Sequence, residues 1–239
     1  MQEKIKIRKG KQFLIILIAF LVLGISFKVM VLVEGLTEIR PVNAIPPVAG
    51  LLCGPIGGGA CALGNLLADM AGTFSLSSVL GVIANFLAAY LPYRLWYLFS
   101  KESPNLHCKK NILLYCLICF VTAMTAAWIL AFGLYIFWHI WLEEIYIYVF
   151  LNNFGFSLGL GMPILIILTS DSVNVVCCDP PASGRLCKSS AKRNIVCGGY
   201  LLLMLLILTG VFLHCNPADN SWMKWISWLA GLGLCCQMI

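Results

Sequence analysis

Long apolar runs are the feature of this sequence that most restricts its fold. Each run has about 20 residues or more and few charges; they are 13–33, 80–99, 112–138, 145–168 and 195–213. At about 1.5 Å of rise per residue, a helix of about 20 residues reaches roughly 30 Å, which is enough to cross a bilayer. The chain is 61% hydrophobic and 11% charged, whereas soluble domains carry about 25% charged residues. The sequence therefore predicts an all-α polytopic membrane protein, with one integral membrane domain over 1–239.

The apolar runs at the two ends of the chain have alternative interpretations. The run 13–33 follows a basic start, as a signal peptide does, but it is long for such a peptide and no small-residue cleavage site follows it. We expect a retained first helix. In the last stretch, 221–239, tryptophan recurs every three residues, and tryptophan is enriched at membrane interfaces. This stretch either crosses as a sixth span or lies in the interface.

The basic residues predict the orientation of the spans. Thirteen of the sixteen lysines and arginines lie in three segments: the tail 1–12, the loop 94–110 and the loop 171–194. Because cytoplasmic segments of membrane proteins are rich in lysine and arginine, we expect a multi-pass protein of the cell (plasma) membrane with a cytoplasmic N-terminus, basic tail and 171–194 loop. The net charge of +6 lies in short clusters between apolar runs. It therefore indicates topology and not a nucleic-acid partner.

The segment 42–72 departs from the pattern of a regular span. Prolines interrupt helical hydrogen bonding, and they occur at Pro46, Pro47 and Pro55. Gly54, Gly58 and Ala62 recur every four residues, a spacing that lets helix backbones approach closely. We predict a Pro/Gly-broken pair of short helices, which either cross as two short spans or form a re-entrant hairpin. Irregular backbone inside a membrane needs protein or a watery cavity around it, so we expect the pair to line a cavity.

Polar side chains are concentrated in and around this broken segment. An ionisable group in a membrane span costs about 2.5–3.5 kcal/mol on insertion scales and usually marks a functional site. Asp69 is the clearest case, and Asn65 lies four residues before it on the same helical face. Arg40 suits a carboxylate or a planar polar group, because its guanidinium can donate two parallel hydrogen bonds. The predicted substrate-binding residues are Glu34, Glu38, Arg40, Asn43, Asn65, Asp69 and Asn85.

Structural explanations compete with a binding role for these residues. Asp69 can lie at the wet end of its short helix, or it can pair with Lys28 or Arg40. Asn85 can donate a hydrogen bond to a neighbouring helix, as amides do in helix bundles. Lys28 can extend its charge toward the interface without contacting any ligand.

The other chemical motifs are weak. Residues 155–159 match GxSxG, but a nucleophile elbow needs a strand-to-helix turn, and this match lies in an apolar helical run. Cys177, Cys178 and Cys187 share a polar loop, yet their spacing is unlike the paired CxxC of zinc sites. The three histidines are isolated, and no phosphate-binding loop occurs. We therefore expect no enzymatic activity, no metal and no cofactor.

Four stretches resemble a known family of membrane proteins. They read EIRPVNAIPP at 38–47, GLLCGP at 50–55, GNLLAD at 64–69 and LGVIANFLAAY at 80–90. They are similar to the substrate-binding (S) components of energy-coupling factor (ECF) transporters, most of all to the queuosine-precursor-transporter type. The resemblance covers about residues 30–98. It implies a six-helix membrane protein that binds a small molecule from outside and docks on a transmembrane coupling subunit with cytoplasmic ATPase subunits.

One departure from the family concerns docking. Many S components carry small residues four positions apart in the first helix, whereas here Ala19 is followed by Leu23 and Gly24 by Lys28. Two hypotheses of function follow from the sequence. In the first, the chain is a subunit that binds a vitamin or micronutrient-like solute in the lipid bilayer for an ECF-type uptake transporter. In the alternative, it is a membrane sensor or assembly subunit that packs against a partner protein and transports nothing.

Overall fold

The computed structural model describes residues 8–27, 30–33, 37–72, 74–173, 175, 177–181 and 190–238. Its helices, in chain order, are α1 (Lys9–Ser26), α2 (Ile45–Cys53), α3 (Pro55–Met70), α4 (Leu76–Phe99), α5 (Lys109–Trp138), α6 (Glu143–Phe156), α7 (Met162–Thr169), α8 (Ser190–Phe212) and α9 (Ser221–Met238). A 3-10 turn, Pro41–Ala44, leads into α2, and a π-helical turn, Ser157–Gly161, joins α6 to α7. Two short strands, β1 (Val31–Val33) and β2 (Thr37–Glu38), pair antiparallel.

Five helical stretches are long and apolar enough to cross a membrane. They are Lys9–Ser26, Ser77–Phe99, Lys109–Trp138, Glu143–Thr169 and Asn194–Phe212. The described structure is therefore helical apart from one strand pair, as expected of a multi-pass membrane protein. α9 is not among the five, but it lies antiparallel beside α8, because Gly210 faces Met223 at one end while Gly233 faces Tyr200 at the other. The last segment thus follows α8 along its length, and a sixth span remains a prediction.

The first helix is shorter than predicted. α1 ends at Ser26 and not at residue 33, and Val31–Val33 form a strand instead. Valine is β-branched, which lowers its helix propensity and favours strands. The prediction of continuous helix to residue 33 is therefore wrong. α1 packs on α3, where the ring of Phe20 fills the space left by Gly64.

α2 and α3 form the predicted pair of short helices, bent into a hairpin at Gly54. Gly54 has φ +58°, a left-handed conformation that glycine adopts without strain. Beside this bend, Gly57 lies against the carbonyl oxygen of Ala49. At the other end of the pair, Arg40 precedes α2 and reaches Asp69 near the end of α3. The two helices are therefore antiparallel, and their open end brings the predicted polar residues together.

The hairpin packs on α4 through small residues. A Cβ atom at Gly50 would overlap the backbone carbonyl of Ala89 in α4. On the predicted small-residue face, a Cβ atom added to Gly58 would lie 3.1 Å from the Phe86 ring of α4. The small-residue face thus contacts α4 as expected, but the closest backbone approach occurs at Gly50. Backbone contact of this kind holds α2 at a fixed distance from α4.

The bend of the hairpin lies at one end of the bundle, which we call the basic end. The lysines and arginines with described side chains at this end are Arg8, Lys9, Lys11, Arg94, Lys101, Lys109 and Lys110. Two tyrosines of α4 bind a loop there: Tyr93 Oη donates to the Asp179 carbonyl oxygen and Tyr97 Oη to that of Cys178, both at 2.9 Å. The Cys178 amide in turn donates to the Leu52 carbonyl oxygen at 2.8 Å. The loop therefore covers the bend of the hairpin.

Candidate functional site

Four of the seven predicted binding residues line one cavity near the end of the bundle opposite the basic end. The cavity lies between the 3-10 turn, the end of α3, and the facing parts of α4, α5 and α6. Its polar side chains are Arg40, Asn43, Asp69, Ser77, Asn85, Asn152 and Asn153. Asn65 lies behind this wall and connects two of its members. We call this site the Arg40 cavity.

A chain of polar contacts runs from Arg40 to Asp69. The Arg40 Nη2 atom donates to Asn65 Oδ1 at 2.7 Å, and Asn65 Nδ2 donates to Asp69 Oδ2 at 3.1 Å. The guanidinium also lies 3.7 Å from Asp69 Oδ1. Asn65 and Asp69 share one face of α3, as the four-residue spacing predicts. The structural explanation in which Asp69 pairs with Arg40 is therefore observed, and the same pair lines the cavity.

The pair is charge-compensated and largely shielded from solvent. The Arg40 side chain is 20% exposed and the Asp69 side chain 7%. A buried carboxylate is tolerated when a cation and hydrogen-bond donors surround it. Asp69 has both, from Arg40 and Asn65. The Arg40 cavity is therefore polar while its cation and anion compensate each other.

The backbone around Arg40 is set by the proline that follows it. A residue before proline is disfavoured in the helical conformation, and Arg40 has φ −123° and ψ 78°. Pro41 then begins the 3-10 turn, where a missing amide hydrogen leaves no internal bond unmade. The Arg40 backbone amide donates to Asn152 Oδ1 of α6 at 3.2 Å. The turn before α2 is thus fixed to α6, and the guanidinium reaches α3.

Asn85 of α4 contributes to the cavity in a way the sequence did not indicate. Its Nδ2 atom donates to the Gly81 carbonyl oxygen at 2.9 Å, one turn earlier in the same helix. The interhelical hydrogen bond that we considered for Asn85 is therefore not formed among the described residues. Its amide oxygen remains available to a ligand in the cavity. Gly81 itself makes room for Asn65, whose amide nitrogen would lie 2.8 Å from a Cβ atom at that position.

Three polar lining residues, Ser77, Asn152 and Asn153, were missed by the sequence analysis. Asn152 and Asn153 are consecutive amides in an apolar run, which is the signal that singled out Asn65 and Asn85. Asn153 Nδ2 donates to the Val149 carbonyl oxygen at 2.9 Å within α6. The rule that polar groups in spans mark sites therefore applies to α6 as well.

The π-helical turn after α6 begins at Ser157, the serine of the GxSxG match at 155–159. Its Ser157 lies in helical conformation, and its Oγ atom contacts the Asn43 carbonyl oxygen at 3.4 Å. Tyr115 of α5 donates to the Ser157 carbonyl oxygen at 2.9 Å. This is not the strand-to-helix turn of a nucleophile elbow. The π turn instead lets α6 approach the 3-10 turn, where a Cβ on Gly161 would lie 3.0 Å from the Ala44 carbonyl oxygen.

Several predicted residues fall outside the described parts of the structure. Glu34, Lys28 and Cys187 lie outside the described residues, as do 1–7 of the basic tail and 182–189 of the predicted loop. Glu38 belongs to β2, of which the backbone alone is described. A binding role for Glu34 and Glu38 therefore stays a prediction.

Within the described ranges, no three histidine, cysteine, aspartate or glutamate side chains are grouped as a metal site.

The Arg40 cavity is narrow. The centre of a water molecule can occupy about 30 Å³ of it, which is room for a water or two. Small-molecule sites are an order of magnitude larger, at about 300–1,000 Å³. Its two charged side chains, Arg40 and Asp69, are paired with each other directly and through Asn65. The described conformation is therefore closed around its polar centre.

Comparisons with known proteins leave the family open. A scan against protein-family models, a search of curated proteins and a search of solved structures found no match. The resemblance to ECF transporter S components thus depends on the four sequence stretches alone.

Proposed function

We propose that this chain is a membrane-embedded subunit of an ECF-type uptake transporter that binds a small polar solute in the Arg40 cavity. The observation that carries the proposal is the convergence of one cation, one carboxylate and several amides on one cavity inside an apolar bundle. Burying polar groups among apolar helices costs free energy unless they are paired. Packing alone would be served by apolar side chains. So many polar groups around one space indicate a ligand site.

The arrangement suits a solute of small or zero net charge. Arg40 can donate to a carboxylate or carbonyl oxygen, and Asp69 can accept from an amine or amide. Because the two residues compensate each other, a ligand with both kinds of group can replace their mutual contacts without leaving a buried charge unpaired. Asn85 adds an acceptor on the opposite wall. No bond is made or broken in this function.

Binding requires the cavity to open, because it holds only water in the closed conformation. Arg40 lies between β2 and the 3-10 turn, outside any α-helix, and its side chain is partly exposed. It can therefore move away from Asn65 without unfolding a helix. A solute that binds the open conformation more tightly shifts the population toward it.

The charge distribution supports binding from the outer side. With the basic end in the cytoplasm, the Arg40 cavity lies near the outer surface of the cell membrane. Transport then needs a transmembrane coupling subunit with cytoplasmic ATPase subunits, because the sequence contains no phosphate-binding loop. Affinity purification of the tagged chain from its own membranes should bring such ATPases with it.

The small volume of the cavity favours the sensor or assembly subunit as the second candidate. In that case the contacts among Arg40, Asn65 and Asp69 only hold the α2–α3 hairpin in place. Purification would then bring a kinase or another output protein instead of ATPase subunits. No small molecule would be retained at the Arg40 cavity.

Native mass spectrometry of the detergent-purified protein tests the binding proposal. We expect a co-purifying small molecule in the wild type. Asn85→Leu should reduce its retention at least about ten-fold, because a ligand donor is left unpaired. Thr209→Val is the matched control, since Thr209 makes a comparable hydrogen bond within α8, to the Leu205 carbonyl oxygen, away from the cavity. Absence of any small molecule, or equal retention by both variants, would overturn the proposal.

A further inference from the structure

A second and wider cavity lies between α5 and α9. The centre of a water molecule can occupy about 370 Å³ of it, far more than in the Arg40 cavity. Lys224 and His139 line one end, and Trp128, Trp228 and Gly231 line the deeper part. None of these residues belongs to the Arg40 cavity. We call this second site the α5–α9 groove.

The α5–α9 groove has the depth of one membrane leaflet. It begins at His139, directly after the end of α5, and near the start of α9, at the end of the bundle opposite the basic end. A Cβ atom on Gly231 would lie 3.6 Å from the Trp128 ring, so these two residues are level with each other. The depth of the groove is the rise of its two helices: about 10 Å from Lys224 to Gly231 along α9, and about 16 Å from His139 back to Trp128 along α5. The hydrocarbon core of a bilayer is about 30 Å thick, so the groove reaches about half-way through it.

Two buried polar atoms in the groove have no hydrogen-bond partner among the described residues. They are the Oγ atom of Ser227, which is 4% exposed, and the Nε1 atom of Trp128. Buried polar atoms are nearly always paired with protein or with a bound molecule. Lys224 likewise makes no ion pair with a described carboxylate. The two buried atoms lie beneath the wall of the groove, and Lys224 is the donor that the groove presents at its mouth.

The side of the groove is open where lipid surrounds the bundle. Trp228 is 65% exposed and Ile136 is 45% exposed. An amphiphile already in the membrane enters sideways, with its polar group at the interface and its chain along the aromatic wall.

We propose that the α5–α9 groove binds one anionic phospholipid of the leaflet at this end of the bundle. The phosphate lies near Lys224 and His139, where a cation and an imidazole line the mouth. The glycerol backbone lies against Trp128 and Ser227 in the wall of the groove. One acyl chain runs past Gly231, where the lack of a side chain leaves space.

Lipid titration with native mass spectrometry tests this proposal on the full chain. Phosphatidylglycerol and phosphatidylcholine with the same acyl chains are added to delipidated protein. The wild type should retain one phosphatidylglycerol in preference to phosphatidylcholine. Lys224→Gln should weaken phosphatidylglycerol binding about five-fold, the effect of one basic residue at a membrane surface. Gly231→Leu, which fills the groove, should weaken the binding of both lipids.

Two further variants serve as controls. Lys110→Gln removes an exposed charge at the basic end and should leave lipid retention unchanged. Asn85→Leu should also leave it unchanged, because Asn85 lines the other cavity. The proposal is overturned if the wild type retains the two lipids equally, if Lys224→Gln binds phosphatidylglycerol as the wild type does, or if Lys110→Gln lowers binding as much as Lys224→Gln.

Discussion

Removing the charge of Arg40 should destabilise the protein, and removing the charge of Asp69 as well should restore it. Arg40→Gln keeps an amide that can donate to Asn65 but deletes the cation 3.7 Å from the Asp69 carboxylate. The carboxylate then loses the cation that lies 3.7 Å away. In Arg40→Gln/Asp69→Asn, both charges of this pair are removed and the hydrogen-bonded chain can be kept. We therefore expect Asp69→Asn to destabilise the wild type but to stabilise the Arg40→Gln variant.

The size of the effect follows from the geometry of the pair. Two unit charges 3.7 Å apart attract by about 4 kcal/mol at an effective dielectric constant of about 20. Part of this is offset, because Arg40 is 20% exposed and its removal also relieves its own desolvation. A net loss of about 3 kcal/mol for Arg40→Gln agrees with the known effect of breaking a buried pair. For a chain of this length, that loss lowers Tm by about 6–12 °C.

Thermal unfolding in detergent, followed by intrinsic tryptophan fluorescence, measures this cycle of four proteins. The double variant should lie within about 1 kcal/mol of the wild type, because replacing a buried pair by matched neutral groups is often close to neutral. Lys110→Gln, which removes an exposed charge, controls for the change in net charge. The reasoning is refuted if Asp69→Asn lowers the Tm of the Arg40→Gln variant further.

Two other predictions concern packing and pH. Gly50→Ala should lower Tm strongly, because the added Cβ overlaps the α4 backbone. Gly155→Ala should raise Tm slightly, because a Cβ atom there has no neighbour within 4 Å and alanine is the better helix former by about 1 kcal/mol. Equal effects of the two substitutions in thermal unfolding would contradict the close approach. The hydrogen bond to Glu143 raises the pKa of the exposed His214. The contact between protonated His214 and Glu143 therefore stabilises the folded protein below the ordinary histidine pKa of about 6.5, and this stabilisation is lost as pH rises through the raised pKa. Tm should therefore fall slightly between about pH 6 and pH 8 in the wild type, and this component should be absent in His214→Gln.

The broken helical pair could be predicted from the sequence because its signals are local. Proline and glycine act on the backbone of their own turn, and the bend indeed lies at Gly54. The pairing of Asn65 with Asp69 follows equally from a four-residue spacing within one helix. The predicted end of the first helix at residue 33 was wrong, because the prediction gave more weight to length and hydropathy than to the β-branched valines at 31 and 33.

The composition of the site was only partly predictable, because its contacts are distant in the chain. The hydrogen bond from Arg40 to Asn152 joins residues 112 positions apart. No spacing rule within one helix links them. Asn85 was singled out as a polar residue in a span and lines the cavity, but its hydrogen-bond partner is in its own helix. The narrowness of the cavity depends on how five elements pack together, which single-sequence patterns do not specify.

The core between the Arg40 cavity and the basic end limits how a solute can travel. The space is filled by fully buried side chains, among them Leu51, Trp96, Tyr115 and Leu165, and α2 is in backbone contact with α4 at Gly50. A straight passage toward the basic end would have to break this contact and empty the core. The Arg40 cavity is thus closed by packed side chains on the side that faces the basic end. Under our proposal of an uptake subunit, a solute bound in this cavity crosses only if the protein itself moves relative to the bilayer, which places the work of transport on the partner protein that moves it.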